Sequence, residues 1–591
     1  MIQNPFKKQK PAVLVAIGSA AGLLVGGAIA WWLQQQPVIE GLPAGSDVIP
    51  QDAAVTLSFS TNEGQWRQLR QFGTPQTEAA LNKNWLQLRD RLLTANGLDY
   101  GRDIQPWVGS EITVAFLAPV GNPAANQPIQ PYTADPLKGD ASAVLVLPIA
   151  NPAKAQALLT QPKVAAGQDW VDRDYKGIKI REVQGKAERA YAAAVLGDRY
   201  LVASPNSKAI EQVIDTFKGK PSVARTFGYG QAFTQLKTET PLLRTYVNVP
   251  VASGVAANNA TQPIPPQGLA LLQGNQGLAS TMNLESEGVR FQAIAWLPTD
   301  SKIRYSSENT AQRMPTLLPD STLLMASGGN FKQTWQNYSQ AIGNSGAGGV
   351  FNPIFIRQGF NNLTGMDFDQ DLSNWMTGEF SLALISDPGT ANAANPKASA
   401  AKAGVLLLAQ AGDRKAADAS FKKLDAVMRD RYQFRVNNTQ LGNQPAVAWT
   451  SPFSSLTVTR GWLDGNIAFL AIGADVGSAI VPAPAQTLAT SPLFSSTASK
   501  TLEANNGHFF MATERLANRD AHLPLPILPA DNQAYVSALR ALHVTAATQD
   551  AHTTRYDVHV LLRKVSNPPA TAPSPNVGTS LEVSPSPAAT K

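Results

Sequence analysis

The chain has 591 residues, 43% of them hydrophobic and 16% charged, with no cysteine and a formal net charge of +6. That length exceeds what one hydrophobic core fills, about 250–300 residues, and the composition is that of a folding chain rather than a disordered one. Disulfides, thiolate nucleophiles, iron–sulfur clusters and cysteine-based zinc sites are excluded; Lys7, Lys8 and Lys10 hold half of the excess charge, which leaves no basic stripe for nucleic acid.

Residues 11–33 carry no charge and are long enough to cross a hydrocarbon core about 30 Å thick as one helix. The lysines before it and Trp31 and Trp32 at its end place residues 1–10 in the cytoplasm and everything after the linker 34–46 outside. A cleaved signal peptide ending at Ala28-Ile29-Ala30 is the competing reading. The length of the run and the tryptophans favour a retained anchor that touches membrane lipid. Gly18, Gly22 and Gly26 fall on one face, where a second span could approach.

A first unit is expected over 47–300. Ile49-Pro50-Gln51-Asp52 opens a strand from Ala54 to Phe59, and Thr74 and Pro75 start a helix with Leu81, Trp85, Leu88 and Leu92 at helical spacing. Asp99 and Asp103 lead to Trp107, Gly109 and Glu111, then to a strand from Ile112 to Leu117. A buried strand from Ala143 to Leu147 runs into a helix at Asn151-Pro152. A hairpin turns at Gly197-Asp198 between strands from Tyr191 to Leu196 and Tyr200 to Ala203. Ser204-Pro205 is expected to cap the next helix, with Ile210, Val213, Ile214 and Phe217 on one side. A strand from Leu243 to Val249 and a hairpin within Met282 to Leu297 close the unit.

After a hinge at 301–312, the same order returns in a second unit over 313–564. Leu318-Pro319-Asp320 opens a strand from Thr322 to Met325, and a less regular helix spans Pro353 to Leu363. Asp367, Asp369 and Asp371 lead to Trp375, Gly378 and Glu379, then to strands from Phe380 to Ile385 and Gly404 to Leu408. Asp413 caps a helix with Ala417, Phe421, Leu424 and Met428 inward. A hairpin turns at Asp464-Gly465 between strands from Leu456 to Trp462 and Ile467 to Ile472. Strands from His508 to Met511 and within Val544 to Leu562 finish it, and 565–591 reads as a disordered Pro/Ser/Ala-rich tail. The fold class is therefore α+β: two tandem homologous units with antiparallel sheets and packed helices behind one transmembrane helix.

Reactive motifs are poor throughout. The alternating aspartates resemble a calcium loop, but Leu372 stands where that loop needs glycine and Glu379 falls one place late. Asp103 and Asp371 are better read as caps of a short turn that buries Trp107 and Trp375. Gly343-Asn344-Ser345-Gly346-Ala347 misses the nucleophile-elbow pattern, and Ser399-Ala400-Ala401-Lys402 has no companion motif. All five histidines, His508, His522, His543, His552 and His559, lie in the second unit at no metal spacing. His543, His552 and His559 could meet across the final hairpin, although packing or surface roles are the commoner fate of such residues. No cofactor is expected. Two proline-rich apolar loops in equivalent places offer Ile264, Leu269 and Leu272, and Leu523, Leu525 and Ile527, for partner docking or for plugging the core.

The Asp-x-x-x-Asp-Ile/Leu-x-x-Trp signature with its Gly-Glu ending, the Ile-Pro-x-Asp strand and the turn Leu196-Gly197-Asp198-Arg199-Tyr200-Leu201-Val202 resemble the domain of unknown function thirty-three fifty-two, found mainly in cyanobacteria. The shifted glycine of the second copy departs from the pattern and weakens the idea of a shared site. The resemblance implies a periplasmic or thylakoid-lumen location and no established chemistry. The expectation is a non-enzymatic, membrane-tethered binding or scaffolding protein with an envelope protein partner. The alternatives are a carrier of lipid or small apolar ligands and an atypical hydrolase.

Overall fold

The computed structural model describes residues 41–77, 99–118, 143–155, 169–184, 192–258, 274–342, 352–386, 403–516 and 536–565, apart from 237, 239, 302–303, 306–307, 454–455, 465, 474 and 499–501. Twenty strands join in one sheet. They are β1 Val55–Ser60, β2 Glu111–Phe116, β3 Ala143–Pro148, β4 Asp169–Tyr175, β5 Ile178–Gln184, β6 Ala192–Leu196, β7 Tyr200–Ser204, β8 Leu243–Asn248, β9 Gly277–Glu285 and β10 Gly288–Trp296. Then come β11 Thr322–Gly328, β12 Phe380–Ser386, β13 Ala403–Gln410, β14 Arg435–Leu441, β15 Gln444–Thr450, β16 Thr457–Leu463, β17 Ile467–Ile472, β18 Gly507–Met511, β19 Leu539–Asp550 and β20 Thr553–Leu562.

All pairings are antiparallel. From one edge the order is β4, β5, β6, β7, β3, β2, β1, β8, β9, β10. From the other edge it is β14, β15, β16, β17, β13, β12, β11, β18, β19, β20, the same sequence of positions. The two series meet where β10 pairs with β20 from Gly288↔Leu561 to Trp296↔Thr553. Hydrogen bonds thus continue across the junction without an interruption in the ladder.

Helices cover both faces because strand residues alternate sides. On one face of the first series, α1 (Glu63–Leu69) aside, α2 (Ser207–Phe217) and α3 (Tyr229–Gln235) seat Ile210, Val213, Ile214, Tyr229 and Phe233 against Val144, Val146, Ile180 and Val202. At roughly 1.5–3 kcal/mol for each large aliphatic or aromatic side chain, this burial is a principal favourable term of the half. In the second series α4 (Phe331–Ile342), α5 (Pro353–Thr364), α6 (Arg414–Asp430) and α7 (Pro492–Ala498) follow. Phe494 of α7 packs with Leu406, Leu408, Ile467 and Phe469, while Ala417, Phe421 and Leu424 of α6 pack on the opposite face with Trp375, Trp449 and Ala468.

Several local expectations change. The cap of α2 is Asn206, whose side chain accepts from the Lys208 amide; Ser204 instead donates to the Ala143 carbonyl, tying β7 to β3. The helix expected to be irregular, α5, is regular, capped by Asn352 and stopped by Gly365 at φ 70°. Two hairpins, β4–β5 and β14–β15, were not expected; they form the two edges of the sheet. The 301–312 stretch expected as a hinge is bonded to the second series: Ala311 N–H donates to Asn505 at 2.9 Å and Asn309 exchanges bonds with Thr548 at 2.9 and 3.0 Å. Among the described residues no helix is long and apolar enough to cross a membrane. The run 11–33, the greater part of the helix expected from Thr74 and Pro75, and the tail beyond 565 lie outside them.

Candidate functional site

The Asp-Trp-Glu signature builds the same device twice. Tyr100–Ile104 and Phe368–Leu372 are single π-type turns. Their caps are Asp99 and Asp367, which accept from the Arg102 and Gln370 amides at 2.9 and 2.7 Å. Asp103 and Asp371, expected as caps, reach back instead and accept from the Asp99 and Asp367 amides, each at 2.8 Å. This reciprocity satisfies two orphan donors at the start of a turn too short to satisfy them itself. Trp107 and Trp375 are buried, and their indole N–H groups donate to the Asp103 and Asp371 carbonyls at 2.6 and 3.3 Å.

The glutamates tie down the segment entering each series. Glu111 accepts from the Ala44 amide at 3.1 Å and pairs with Arg244 at 3.1 Å; Glu379 accepts from the Arg313 and Met314 amides at 2.8 and 3.3 Å. Burial pushes the Glu111 carboxyl up, against the pull of Arg244 and the Ala44 amide. The shifted glycine makes the same kind of bond as its counterpart. Gly109 N–H donates to Pro148 and Gly378 N–H to Gln410, at 2.9 and 3.2 Å; a Cβ on Gly378 would collide with the Gln410 side chain, and one on Gly109 would press on Pro148 at 3.1 Å. The remaining aspartate, Asp369, is bound by Trp335 and Arg357 at 2.5 Å each. Among the described residues no group of three or more potential ligands is placed to hold a metal ion.

Ile264, Leu269, Leu272, Leu523, Leu525 and Ile527 lie outside the described residues, as do Ser345, Ser399, Lys402 and His522. His543 and His559 do meet, directly opposite each other across β19 and β20. His552 sits apart, beyond the strand end, where its amide donates to Asp550. The histidine that joins His543 is one the hairpin pattern left out: His508 Nδ1 lies 3.0 Å from His543 Nε2. On the other side, Asp557 takes Arg290 bidentately at 2.7 and 2.6 Å and His559 at 3.2 Å. Burial raises the Asp557 carboxyl, but Arg290 and His559 outweigh it and hold it below the usual range.

A cleft of about 300 Å³ opens beside the 301–312 stretch, the junction segment between the two strand series. Its walls are Glu308 and Thr310 from the junction segment, Asn330, Gln333 and Thr334 at the start of α4, and Thr377, Glu379, Gln410 and Asn506 at the strand ends. Gly329 permits the junction segment to close one side, since a Cβ there would lie 3.1 Å from Thr310 Oγ1 and 3.3 Å from the Glu308 carbonyl. Carboxamides and hydroxyls dominate the lining, groups that donate and accept without a fixed charge. Such groups can form hydrogen bonds in either direction. Sequence reading missed it because its residues come from five separate segments and form no local pattern.

Fold and site define an α+β protein built on one long antiparallel sheet with a polar cleft at its junction segment. The chain belongs to the family described as "Protein of unknown function (DUF3352)", whose family model matches residues 16–562. No curated protein matches it. Among solved structures it is similar to crystal forms III and I of TP0453, at 12% and 11% identity, with 44% and 46% of this chain and 82% of each of those chains covered. The TM-score is 0.22 for both, a likeness too slight to carry any argument.

Proposed function

We propose that the protein is a non-enzymatic, membrane-tethered ectodomain that binds or scaffolds a polar envelope component at the cleft beside Glu308 and Thr310. The observation that carries this reading is the internal use of the signature: Asp99 and Asp367, Trp107 and Trp375, Glu111 and Glu379 make matching bonds to their own chain. Polar groups spent in this way position a scaffold rather than a substrate. The cleft lining suits a hydrogen-bonding partner better than a lipid tail, which favours binding over apolar-ligand transport.

The equal strand orders support two tandem homologous units, 47–300 and 313–564; the same proposal sets them behind a tether at 11–33. Further support comes from matching entry points: Pro50 bridges Ser222 as Pro319 bridges Thr487, and the Val223 and Leu488 amides donate to the Ile49 and Leu318 carbonyls at 2.9 and 2.8 Å. A periplasmic or lumenal address belongs to the same proposal.

The test is photo-crosslinking in the native membrane, with a benzophenone amino acid at Gln333 or Gln410 of the full chain. A discrete adduct that disappears on Thr334→Trp, which fills the cleft mouth, is the expected result. Adducts indifferent to that substitution, or none from either position, would overturn the cleft as the binding site.

A further inference from the structure

Ala311, His508, His543, Thr497 and Phe494 form one buried hydrogen-bonded chain. His508 Nε2 lies 2.9 Å from the Ala311 carbonyl, His508 Nδ1 3.0 Å from His543 Nε2, His543 Nδ1 2.9 Å from Thr497 Oγ1, and Thr497 Oγ1 2.7 Å from the Phe494 carbonyl. Both ends are carbonyls, which can only accept. Two neutral imidazoles and one hydroxyl bring three hydrogens to these four contacts.

With both rings neutral the chain can run either way. His508 Nε2–H donates to Ala311, His543 Nε2–H to His508 Nδ1 and Thr497 to His543 Nδ1, which leaves Phe494 without a donor, or Thr497 donates to Phe494, His543 Nδ1–H to Thr497 and His508 Nδ1–H to His543 Nε2, which leaves Ala311 without one. One added proton would fill all four contacts at the cost of a buried charge. A second would set N–H against N–H across 3.0 Å, so the packed form holds fewer than the two protons that solvated imidazoles take up.

The surroundings oppose charge on the pair. His543 is wholly buried and His508 nearly so. Burial lowers the affinity of His508 for a proton against the pull of the Ala311 carbonyl; burial, then His508 and His559, lower that of His543 much further. From β20, His559 faces His543 and Asp557 stands beside it, but Asp557 is committed to Arg290 of β10. Phe494 and Phe510 pack on the His543 ring, and β11 gives only Ser327, which accepts from the His508 amide. Ahead of Ala311 the segment carries Glu308, and after it the Arg313 amide is bound by Glu379.

We propose that the His508–His543 pair is an acid-released latch on the cleft wall, closed while both rings are neutral and opened by proton uptake. The proposal rests on the reading of the cleft as a binding site, because Ala311 continues the segment whose Glu308 and Thr310 form one wall. Released from the sheet, each imidazole protonates at about pH 6.5. Below that value each proton taken up on opening shifts the balance about tenfold per pH unit, and two protons shift it about a hundredfold. The ties from Asn309, the Ala311 amide and Gln312 are neutral and set the opening cost without adding to its pH dependence, while the Glu379 carboxylate holds the Arg313 and Met314 amides just beyond them.

The experiment is hydrogen–deuterium exchange of the full chain between pH 7.5 and 5.0, corrected for intrinsic exchange, with ¹⁵N-histidine spectra as a second readout. Protection of a peptide spanning 304–314 should fall at least tenfold below pH 6.5. The ring nitrogens should report two neutral rings in the same tautomer, both Nε2–H or both Nδ1–H, at pH 7.5. His508→Gln, whose amide can still donate to Ala311, should reduce the pH dependence; should that variant fail to fold, the wild-type spectra alone decide between latch and no latch. Unchanged protection down to pH 5.0, or ordinary titration of both rings with the segment still protected, would overturn the latch. These readouts need no ligand, so failure of the cross-linking test would leave them interpretable.

Discussion

Gln292 and Asp557 stand directly opposite each other where β10 meets β20, with the Gln292 amide 3.5 Å from the Asp557 carboxylate. Each occupies the corresponding place in its own series: Gln292 pairs with Thr281 on β9 and Asp557 with Thr545 on β19, and these threonines face Arg244 and His508 on β8 and β18. The two strand series therefore join in matching register at these residues. The carboxylate is fully buried at the centre of the long sheet.

Breaking the Arg290–Asp557 pair leaves that charge without its partner. Arg290→Ala should cost about 3–5 kcal/mol, read as a lower urea midpoint of the full chain. The double replacement Arg290→Met with Asp557→Leu should recover most of the loss. Since the Asp557 carboxyl is held below its ordinary range, its contribution is present above about pH 3.9 and is lost as pH falls through the folded value.

Trp375→Ala removes a buried aromatic from the face covered by α6 and should cost about 3–5 kcal/mol. Asp367→Ala and Asp99→Ala each remove one cap and should cost about 1 kcal/mol. Because the aspartates serve the turn rather than an ion, millimolar calcium should leave the melting temperature unchanged. A rise that Asp371→Asn abolishes would return the site to metal binding.

Glu111→Ala loses the hold on the Ala44 amide together with the Arg244 pair, a change of about 1.5–3 kcal/mol. Glu111→Gln keeps the first bond and removes the ionisation. A carboxyl raised in the folded state keeps its proton longer than the unfolded chain does, so its contribution weakens as pH rises from about 4.3. Stability of the glutamine variant, followed by denaturant titration at several pH values, should lack that component of the slope.

Gly277→Ala should destabilise by about 1–3 kcal/mol through overpacking. A Cβ there would lie 2.2 Å from Trp296 Cζ2, and the ring cannot retreat because Tyr246 stacks against it and its indole N–H donates to Phe227 at 2.8 Å. Thermal unfolding followed by near-ultraviolet circular dichroism would report both the loss and the disturbed indole.

Local chemistry announced much of the secondary structure. Asp413 caps α6 as its position ahead of an apolar stripe predicts, and Ile467–Ile472 is a strand as its run of aliphatic and aromatic residues predicts. The edge hairpins escaped because charged and polar residues fill them: Asp172, Arg173 and Asp174 on β4, Asn437, Asn438 and Gln440 on β14. A strand paired on one side only need not alternate cleanly, and charge along its free edge discourages further pairing. The local signals were the two-residue turns: Lys176-Gly177, with φ values of 53° and 74°, and Gly442-Asn443, whose glycine stands at φ 53°.

By itself the sequence determined the α+β character and the recurring order of elements, since periodicity, caps and turn residues act within a few positions of one another. It also marked the signature that each half repeats. Only the tertiary structure decided that the signature is spent on capping and clamping, that two ten-strand series continue into one sheet through Gln292 and Asp557, and that His508 meets His543. Those outcomes depend on strand register between segments far apart in the chain, where shifting a strand by one residue turns every side chain to the opposite face.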